Sequence, residues 1–187
     1  MTQIHEVVLS APGKNALGTE HMTRLRADLA ASDGAPVLMY GADGCFSAGL
    51  NLREVGTIDK VEMEAFLDLL EGLVHDLWTY PGPLVAAVNG HAIAGGAILA
   101  LTADMRIATA DPRTRIGLNE VQLGLQFPPG IRKMVQDRIP RRHLETVILG
   151  AELLDPDDAL AVGYVDDVVS DPIDVAREHL TRLSKHP

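Results

Sequence analysis

The residues with the clearest potential for chemistry lie in the stretch 84–101, LVAAVNGHAIAGGAILAL. Its first five residues are an apolar run that predicts a buried strand, and Asn89-Gly90 predicts a turn. An apolar run of helical character follows the Gly95-Gly96 pair. A strand that turns through glycines into a helix leaves backbone N–H groups free to bind an anion without a charged side chain. The same glycines would also be needed if they only let the helix pack closely on a sheet.

A second loop of small residues spans 41–52 and directly follows a predicted strand at 37–40. Open α/β sheets place their ligand sites at the carboxyl ends of strands, so this loop is a second candidate site. Its glycine content is equally consistent with a flexible connector.

Composition and charge restrict the possible partners. The chain has 187 residues, 47% of them hydrophobic, which predicts one sizeable domain. Its formal net charge is −10 and no run of Lys or Arg is present, so no nucleic-acid partner is expected. The single cysteine, Cys45, excludes an internal disulfide. With no signal pattern, no membrane-spanning apolar run and no metal-ligand spacing, we expect a cytoplasmic protein without membrane insertion or a metal site.

Predicted strands and helices alternate along the chain, which indicates an α/β sheet layered with helices. Thr19 is predicted to cap the first helix, and Asp59 with Glu62 is predicted to form a capping box at the start of a long one. Strands are predicted over residues 4–10, 37–40, 84–88, 105–108, 114–117 and 165–169. Helices are predicted over residues 19–31, 60–79, 97–101, 131–139, 141–149, 155–162 and 173–183.

The sequence resembles the crotonase (enoyl-CoA hydratase/isomerase) superfamily in four segments: FSAGLNL at 46–52, NGHAIAGG at 89–96, DMRIA at 104–108 and GYVDDVV at 163–169. The resemblance covers nearly the whole chain, taken as a single crotonase-like domain, 1–187. It implies a crotonase-like α/β fold, a spiral of ββα units with two roughly perpendicular sheets. It also implies a homotrimer or dimer of trimers, an acyl-CoA thioester substrate, and no cofactor beyond the coenzyme A that the substrate carries.

The resemblance assigns roles to individual residues. In this family two backbone N–H groups bind the thioester oxygen, and they correspond to Leu50 and Gly95. Hydratases of the family use two glutamates; the second corresponds to Glu120, but the first corresponds to Ile98, which cannot hold a water or carry a proton. Residues implied to contact the coenzyme A or the substrate are Lys14, Ser47, Ala48, Gly49, Leu52 and Ile98.

One carboxylate beside an oxyanion hole suits a 1,3-proton shift that converts 3-enoyl-CoA to trans-2-enoyl-CoA. The segment IGLNEVQLG at 116–124 is similar to the mitochondrial-type Δ3,Δ2-enoyl-CoA isomerases, which have a single catalytic glutamate. For this reaction Glu120 should lie in an apolar pocket that raises its pKa. Taken without the resemblance, Glu120 is better interpreted as a surface glutamate at a helix start, where the helix dipole favours a negative charge.

The sequence departs from the family pattern in two places. Asn51 stands where an aspartate is usual, and the chain stops at Pro187, soon after Val169. We therefore expect that most of the family's C-terminal helical region is lacking, so that the pocket is more open, is completed by another chain, or functions without that region. Two alternatives stay open: another crotonase reaction, such as that of an enoyl-CoA hydratase, thioesterase or decarboxylase, and a catalytically degenerate acyl-CoA-binding subunit.

Overall fold

The strands form at the short apolar runs of the sequence. A computed structural model describes residues 3–183 and contains the strands β1 (His5–Leu9), β2 (Val37–Gly41), β3 (Leu84–Val88), β4 (Ala92–Ile93), β5 (Met105–Thr109), β6 (Ile116–Gly117) and β7 (Asp167–Val169). Five of them pair in parallel in the order β1-β2-β3-β5-β7, and β4 pairs in parallel with β6. The predicted α/β class is confirmed.

The helices connect and cover these strands. They are α1 (Pro12–Asn15), α2 (Thr19–Ala31), α3 (Leu52–Val55), α4 (Lys60–Trp78), α5 (Gly95–Thr102), α6 (Pro129–Arg138), α7 (Leu144–Ile148), α8 (Pro156–Val162) and α9 (Pro172–Leu183). Short 3₁₀ turns lie at Ala42–Gly44, Glu120–Leu123 and Arg141–His143. The helix predicted over 141–149 is therefore divided between a 3₁₀ turn and α7. Among residues 3–183, no helix is both long and apolar enough to cross a membrane.

The two predicted helix caps have different outcomes. Asp59 accepts a hydrogen bond from the Glu62 N–H while the Glu62 carboxylate accepts one from the Asp59 N–H, both at 2.9 Å, so the capping box is confirmed. The prediction for Thr19 is wrong, because Gly18 occupies the N-cap position of α2. The Thr19 N–H instead donates to the carboxylate of Glu54 at 3.1 Å. A carboxylate from α3 thus satisfies the free donor of the first turn.

The core lies on both faces of the five-stranded sheet. In β3 the residues alternate between the faces: Leu84, Ala86 and Val88 belong to the main core, which includes buried side chains of α2, α4 and α5. Val85 and Ala87 belong to a smaller cluster with side chains of α9. A strand covered on both sides buries every residue, which explains why β3 is a continuous apolar run.

A ladder of hydrogen bonds extends the small β4–β6 sheet and joins the segments that carry the candidate residues. The Ile93 N–H donates to the Ser47 carbonyl at 3.0 Å, and the Ala94 N–H donates to the Gly117 carbonyl at 2.8 Å. On the far side, Ile116 pairs with Leu154 in an antiparallel bridge. The two glycine loops and the chain leading to Glu120 are consequently held side by side by the backbone.

Candidate active site

A cavity of about 340 Å³ brings together five of the residues nominated from the sequence. These residues are Leu50, Leu52, Gly95, Ile98 and Glu120. The rest of the lining comes from apolar side chains of α3, α4 and the 125–131 segment, together with the amide side chain of Gln126. Among the described lining residues, the polar side chains are those of Glu120 and Gln126. The cavity is therefore an apolar chamber with one ionisable group.

The backbone amides of Leu50 and Gly95 are both available at this cavity. Leu17 donates to the Gly49 carbonyl at 2.8 Å and accepts from the Asn51 N–H at 2.9 Å, so the Leu50 N–H points away from this pairing. Gly95 is the first residue of α5, where helical N–H groups have no intrahelical acceptor. Neither amide has a hydrogen-bond acceptor within residues 3–183. Two free donors at one cavity are what an oxyanion hole requires.

The glycines allow the two loops to approach each other. Gly49 has a φ of +89°, and a Cβ added there would lie 2.8 Å from the Ile93 carbonyl oxygen and 3.3 Å from the Gly95 nitrogen. A Cβ on Gly96 would lie 2.3 Å from the Ser47 carbonyl oxygen. Both readings of the Gly95-Gly96 pair therefore hold: Gly96 allows close packing, and Gly95 presents the free N–H.

Ala94, the residue before this pair, has a strained backbone with φ 50° and ψ −118°. A positive φ is costly for a residue with a Cβ and persists only where surrounding contacts enforce it. Both backbone groups of Ala94 are held by neighbours: its N–H donates to the Gly117 carbonyl at 2.8 Å, and its carbonyl accepts from the Ile98 N–H at 3.0 Å. Ala94 thus forms the turn that leads directly into Gly95 at the start of α5.

Ser47 lies beneath the first loop and has no exposed surface. Its hydroxyl donates to the Asn15 carbonyl at 2.8 Å and accepts from the Gly49 N–H at 3.2 Å. The Asn15 side-chain amide in turn donates to the Ala42 carbonyl at 3.0 Å and the Cys45 carbonyl at 2.6 Å. Ser47 does not line the cavity; it acts on the site indirectly, by holding the backbone of Gly49 in place.

Lys14, Ala48 and Gly49 also lie outside the cavity lining. Lys14 is exposed, and its carbonyl accepts a hydrogen bond from the Ala48 N–H at 3.0 Å, which places it beside the loop that carries Leu50. Contact of these residues with the substrate stays a prediction. Within residues 3–183, no three His, Cys, Asp or Glu side chains converge as a metal site would require.

Glu120 is only 7% exposed, which excludes a surface position for this side chain. Its Oε2 atom is buried and has no hydrogen-bond partner among the described residues. Burial raises the pKa of Glu120 to about 7, with hydrogen bonds from the backbone N–H groups of Glu120 and Asn119 acting in the opposite direction. A carboxyl group with a pKa near neutrality can both take and return a proton at physiological pH.

Ile98 lies one turn after Gly95 on α5, is 3% exposed and lines the cavity. It supplies only methyl and methylene groups at the position where the resemblance places the first glutamate of a hydratase. Among the described lining residues, Glu120 is accordingly the sole carboxyl group.

The contribution of α4 to the cavity lining was not predicted from the sequence. Met63, Leu67 and Leu70 line the cavity, at helical spacings of four and three residues. This stripe lies beside the Phe66–Leu73–Leu77 stripe that packs into the core, and Leu70 contributes to both the cavity and the core. The sequence did contain a signal for this lining. A helix that only covers a sheet needs a single apolar face, whereas the apolar surface of α4 is wider than one stripe. Gln126 and Phe127 lie in a loop whose pattern carried no such signal.

A parallel α/β fold in which two glycine loops present paired amides beside a buried carboxyl group defines a crotonase-type protein. The enoyl-CoA hydratase/isomerase family model matches residues 2–186, and the chain belongs to that family. It is 34% identical over 163 residues to human mitochondrial enoyl-CoA delta isomerase 1, covering 84% of this chain and 54% of the relative. It is 33% identical over 144 residues to a probable enoyl-CoA hydratase, EchA17, of Mycobacterium tuberculosis, covering 76% of this chain and 54% of the relative.

The chain therefore spans about half the length of these curated relatives. Among solved structures, human mitochondrial delta3-delta2-enoyl-CoA isomerase matches with a TM-score of 0.90 and 31% identity, covering 98% of this chain and 74% of that one. An enoyl-CoA hydratase/isomerase family protein from Pseudomonas syringae matches with a TM-score of 0.91 and 31% identity, covering 98% and 81%. The predicted crotonase-like fold is confirmed, and both reaction types occur among the names of the relatives.

Proposed function

We propose that this protein isomerises 3-enoyl-CoA to trans-2-enoyl-CoA. The observation that carries the proposal is the buried Glu120 carboxyl group, which stands without a second carboxyl among the described residues of an apolar cavity. A 1,3-proton shift needs one group that takes a proton at one carbon and returns it at another. Hydration by the two-glutamate route needs two such groups.

The reaction follows from the positions of the donors and the base. The Glu120 carboxylate takes a proton from C2 of the substrate, the C2–H bond breaks, and its electrons flow into the thioester carbonyl to give a dienolate. The dienolate oxygen accepts hydrogen bonds from the N–H groups of Leu50 and Gly95, each worth about 3 kcal/mol when preorganised in a dry site. Glu120 then returns the proton to C4, so the double bond moves from C3=C4 to C2=C3 and the carboxylate is regenerated.

The apolar lining supports this proposal in two ways. It withholds water from the Glu120 carboxylate, and this desolvation raises the pKa of Glu120 to about 7 and so its basicity. It also offers a hydrocarbon chain a surface of matching polarity along α4. Coenzyme A would arrive with the substrate, with Lys14 near its phosphates, and the reaction needs no further cofactor. Assembly as a homotrimer or dimer of trimers in the cytoplasm completes the proposal.

Hydration of trans-2-enoyl-CoA is the second candidate, and one observation favours it. Gln126 lines the cavity, and its side-chain amide has no hydrogen-bond partner among the described residues. An amide can hold a water molecule by donating or accepting a hydrogen bond. It cannot take the proton of that water, however, and Ile98 cannot either, so Glu120 would have to perform both proton transfers.

Offering 3-enoyl-CoA and trans-2-enoyl-CoA in separate assays distinguishes the two reactions. We expect the first compound to be converted to the second, with slow or undetectable addition of water to the second. Rapid hydration of trans-2-enoyl-CoA without isomerisation of 3-enoyl-CoA would contradict the proposal. In that outcome, Gln126→Leu tests the water site, because the variant should then lose hydration.

A further inference from the structure

Tyr164 is buried next to the segment that carries Glu120, outside the cavity. It is 2% exposed and is among the largest fully enclosed side chains of residues 3–183. Its place is set by the end of α8, where Gly163 adopts a left-handed φ of 92° and the Tyr164 N–H donates to the Ala159 carbonyl at 2.9 Å. From there, the Tyr164 hydroxyl oxygen accepts a hydrogen bond from the Leu118 N–H at 2.9 Å.

This hydrogen bond lies where the chain leaves the small sheet. The Gly117 carbonyl is the last group of the segment to join the ladder, through the Ala94 N–H at 2.8 Å. Leu118, the next residue, is 1% exposed, and within the described range its N–H has the Tyr164 hydroxyl as its acceptor. A buried amide without a partner is costly, so the hydroxyl takes the place of a neighbouring strand at this point.

Glu120 follows two residues later and depends on this backbone for its position. Its Oε2 atom has no hydrogen-bond partner in the part of the chain that the structure describes, so no side-chain contact of that atom holds the carboxyl group. The hydrogen bonds that the carboxyl group does accept come from the backbone N–H groups of Asn119 and Glu120, so its direction is set by the anchored segment 117–120.

We infer that Tyr164 is a positioning residue for the base, acting through its hydrogen bond to Leu118 to fix the segment that aims Glu120 into the cavity. The inference rests on the proposed isomerase function for its kinetic consequence. The structural consequence, a carboxyl group held in a dry position, does not depend on which reaction is catalysed.

Tyr164→Phe is the variant that tests this role, because it keeps the ring and removes the hydroxyl. Tyr80→Phe is the matched control: the Tyr80 hydroxyl lies within hydrogen-bond distance of Ser32 Oγ at 2.7 Å and donates to the Ala35 carbonyl at 2.6 Å, and Tyr80 does not line the cavity. Both variants lose hydrogen bonds of a partly or fully buried hydroxyl. They differ in whether the loss lies next to Glu120.

In assays with 3-enoyl-CoA, we expect Tyr164→Phe to lower kcat at least about tenfold while KM changes by less than about twofold, since a misaligned base weakens the chemical step more than binding. The acid limb of its pH–rate profile should move to lower pH, because a loosened segment admits water to Glu120. Tyr80→Phe should lose thermal stability and keep both kcat and the profile. All assays are run below the onset of unfolding of each variant.

A second measurement tests the positioning role without relying on the reaction. The difference in unfolding free energy between the parent and Glu120→Gln, followed against pH, reports the titration of Glu120. In the Tyr164→Phe background, this difference should titrate at lower pH than in the parent. An unchanged titration together with unchanged kcat would overturn the inference and leave Tyr164 as a core residue. If isomerisation is undetectable in the parent while the titration shifts as expected, the proposed function fails and the positioning role stands.

Discussion

At the residue scale, the chemistry of Glu120 is determined by what surrounds it. The same side chain on a wet helix start would be ionised at neutral pH and would be a weak base. Enclosed by apolar side chains at 7% exposure, it has a pKa of about 7, a value that suits the base of the proposed isomerisation. Ile98 helps to keep the surroundings of Glu120 apolar. A second carboxylate at this position would bring a competing proton carrier and water into the cavity.

The raised pKa of Glu120 predicts how the rate depends on pH. The carboxylate is the active form in the proposed reaction, so kcat/KM should increase with pH and level off above about pH 8, with a midpoint near 7. At pH 6 the activity should be about one tenth of the plateau. Measurement of kcat/KM with 3-enoyl-CoA from pH 5 to 9 checks this. A profile that is flat across this range would show that Glu120 is not the titrating base.

The same shift predicts a measurable effect on stability. The folded-state pKa of about 7 lies above the ordinary value of 4.5, so the folded protein binds more protons than the unfolded chain between these pH values. Stability should therefore fall as pH rises through this window, by up to about 3 kcal/mol. Glu120→Gln removes this contribution and should be more stable than the parent at pH 8.

Chemical denaturation at pH 4, 6 and 8 tests the effect on stability. The parent and Glu120→Gln should differ least at pH 4, where the parent carboxyl group is protonated, and most at pH 8. Glu145→Gln, which removes a carboxylate from an exposed position on α7, is the control for a general change in net charge. A parent and Glu120→Gln variant that remain equally stable at every pH would contradict the burial of an ionisable Glu120.

At the element scale, the site depends on two loops packed closer than side chains would permit. Gly96 is the position where this can be tested, because an added Cβ would meet the Ser47 carbonyl oxygen at 2.3 Å. Gly96→Ala should separate the loops, displace the Leu50 and Gly95 amides, and destabilise the fold by about 1–3 kcal/mol. Activity should fall by about 10²-fold or more, as for the loss of an oxyanion-hole donor.

Gly130→Ala is the matched control for Gly96→Ala. Its Cβ would contact the Glu71 carboxylate at 3.2 Å, the end of a flexible side chain, so the structure can adapt. Alanine also favours the helical conformation that Gly130 has in α6, by about 1 kcal/mol. Unfolding midpoints and kcat of the two variants give the comparison. Equal effects of the two substitutions would mean that the close approach of the loops is unimportant.

The sequence predicted the elements better than the contacts between them. Strand β3 and helix α4 were predictable, because a continuous apolar run and a capping box are local signals. The acceptor for Thr19 was not, because Glu54 reaches it from 35 residues away along the chain. The hydrogen bonds from the Asn15 side-chain amide to the Ala42 and Cys45 carbonyls were not predicted for the same reason, because these carbonyls are 27 and 30 residues away along the chain.

The site itself was predicted in part. The free amides of Leu50 and Gly95 and the carboxyl group of Glu120 were assigned through the family resemblance, and the structure places all three residues at one cavity. The burial of Glu120 could not be predicted from its neighbours in the sequence, because all six residues that follow it, 121–126, are exposed, including the apolar Val121, Leu123 and Leu125. The contribution of Tyr164 depends on a contact 46 residues distant, which no spacing rule reveals.

At the scale of the whole molecule, the net charge of −10 opposes the binding of the proposed substrate, an anionic coenzyme A ester. The proposed function therefore requires local positive charge near the cavity, and Lys14, exposed beside the Leu50 loop, is the proposed source. Lys14→Gln should raise KM by up to about fivefold with little change in kcat, since one exposed ionic contact is worth at most about 1 kcal/mol.

The effect of Lys14→Gln should shrink as salt is added, because exposed charges are screened. Lys60→Gln is the control: Lys60 is exposed at the start of α4 and forms a loose ion pair with Glu64 at 4.0 Å. KM values at low and high ionic strength for both variants provide the test. A larger effect from Lys60 than from Lys14 would place the phosphates elsewhere.

The most direct test of the whole account is the effect of Glu120→Gln on the conversion of 3-enoyl-CoA to trans-2-enoyl-CoA. Glutamine keeps the shape of the side chain and cannot take a proton, so kcat should fall about 10²- to 10⁴-fold while binding of an acyl-CoA persists. A Glu120→Gln variant that isomerises 3-enoyl-CoA as fast as the parent would show that another group is the base and would contradict the mechanism.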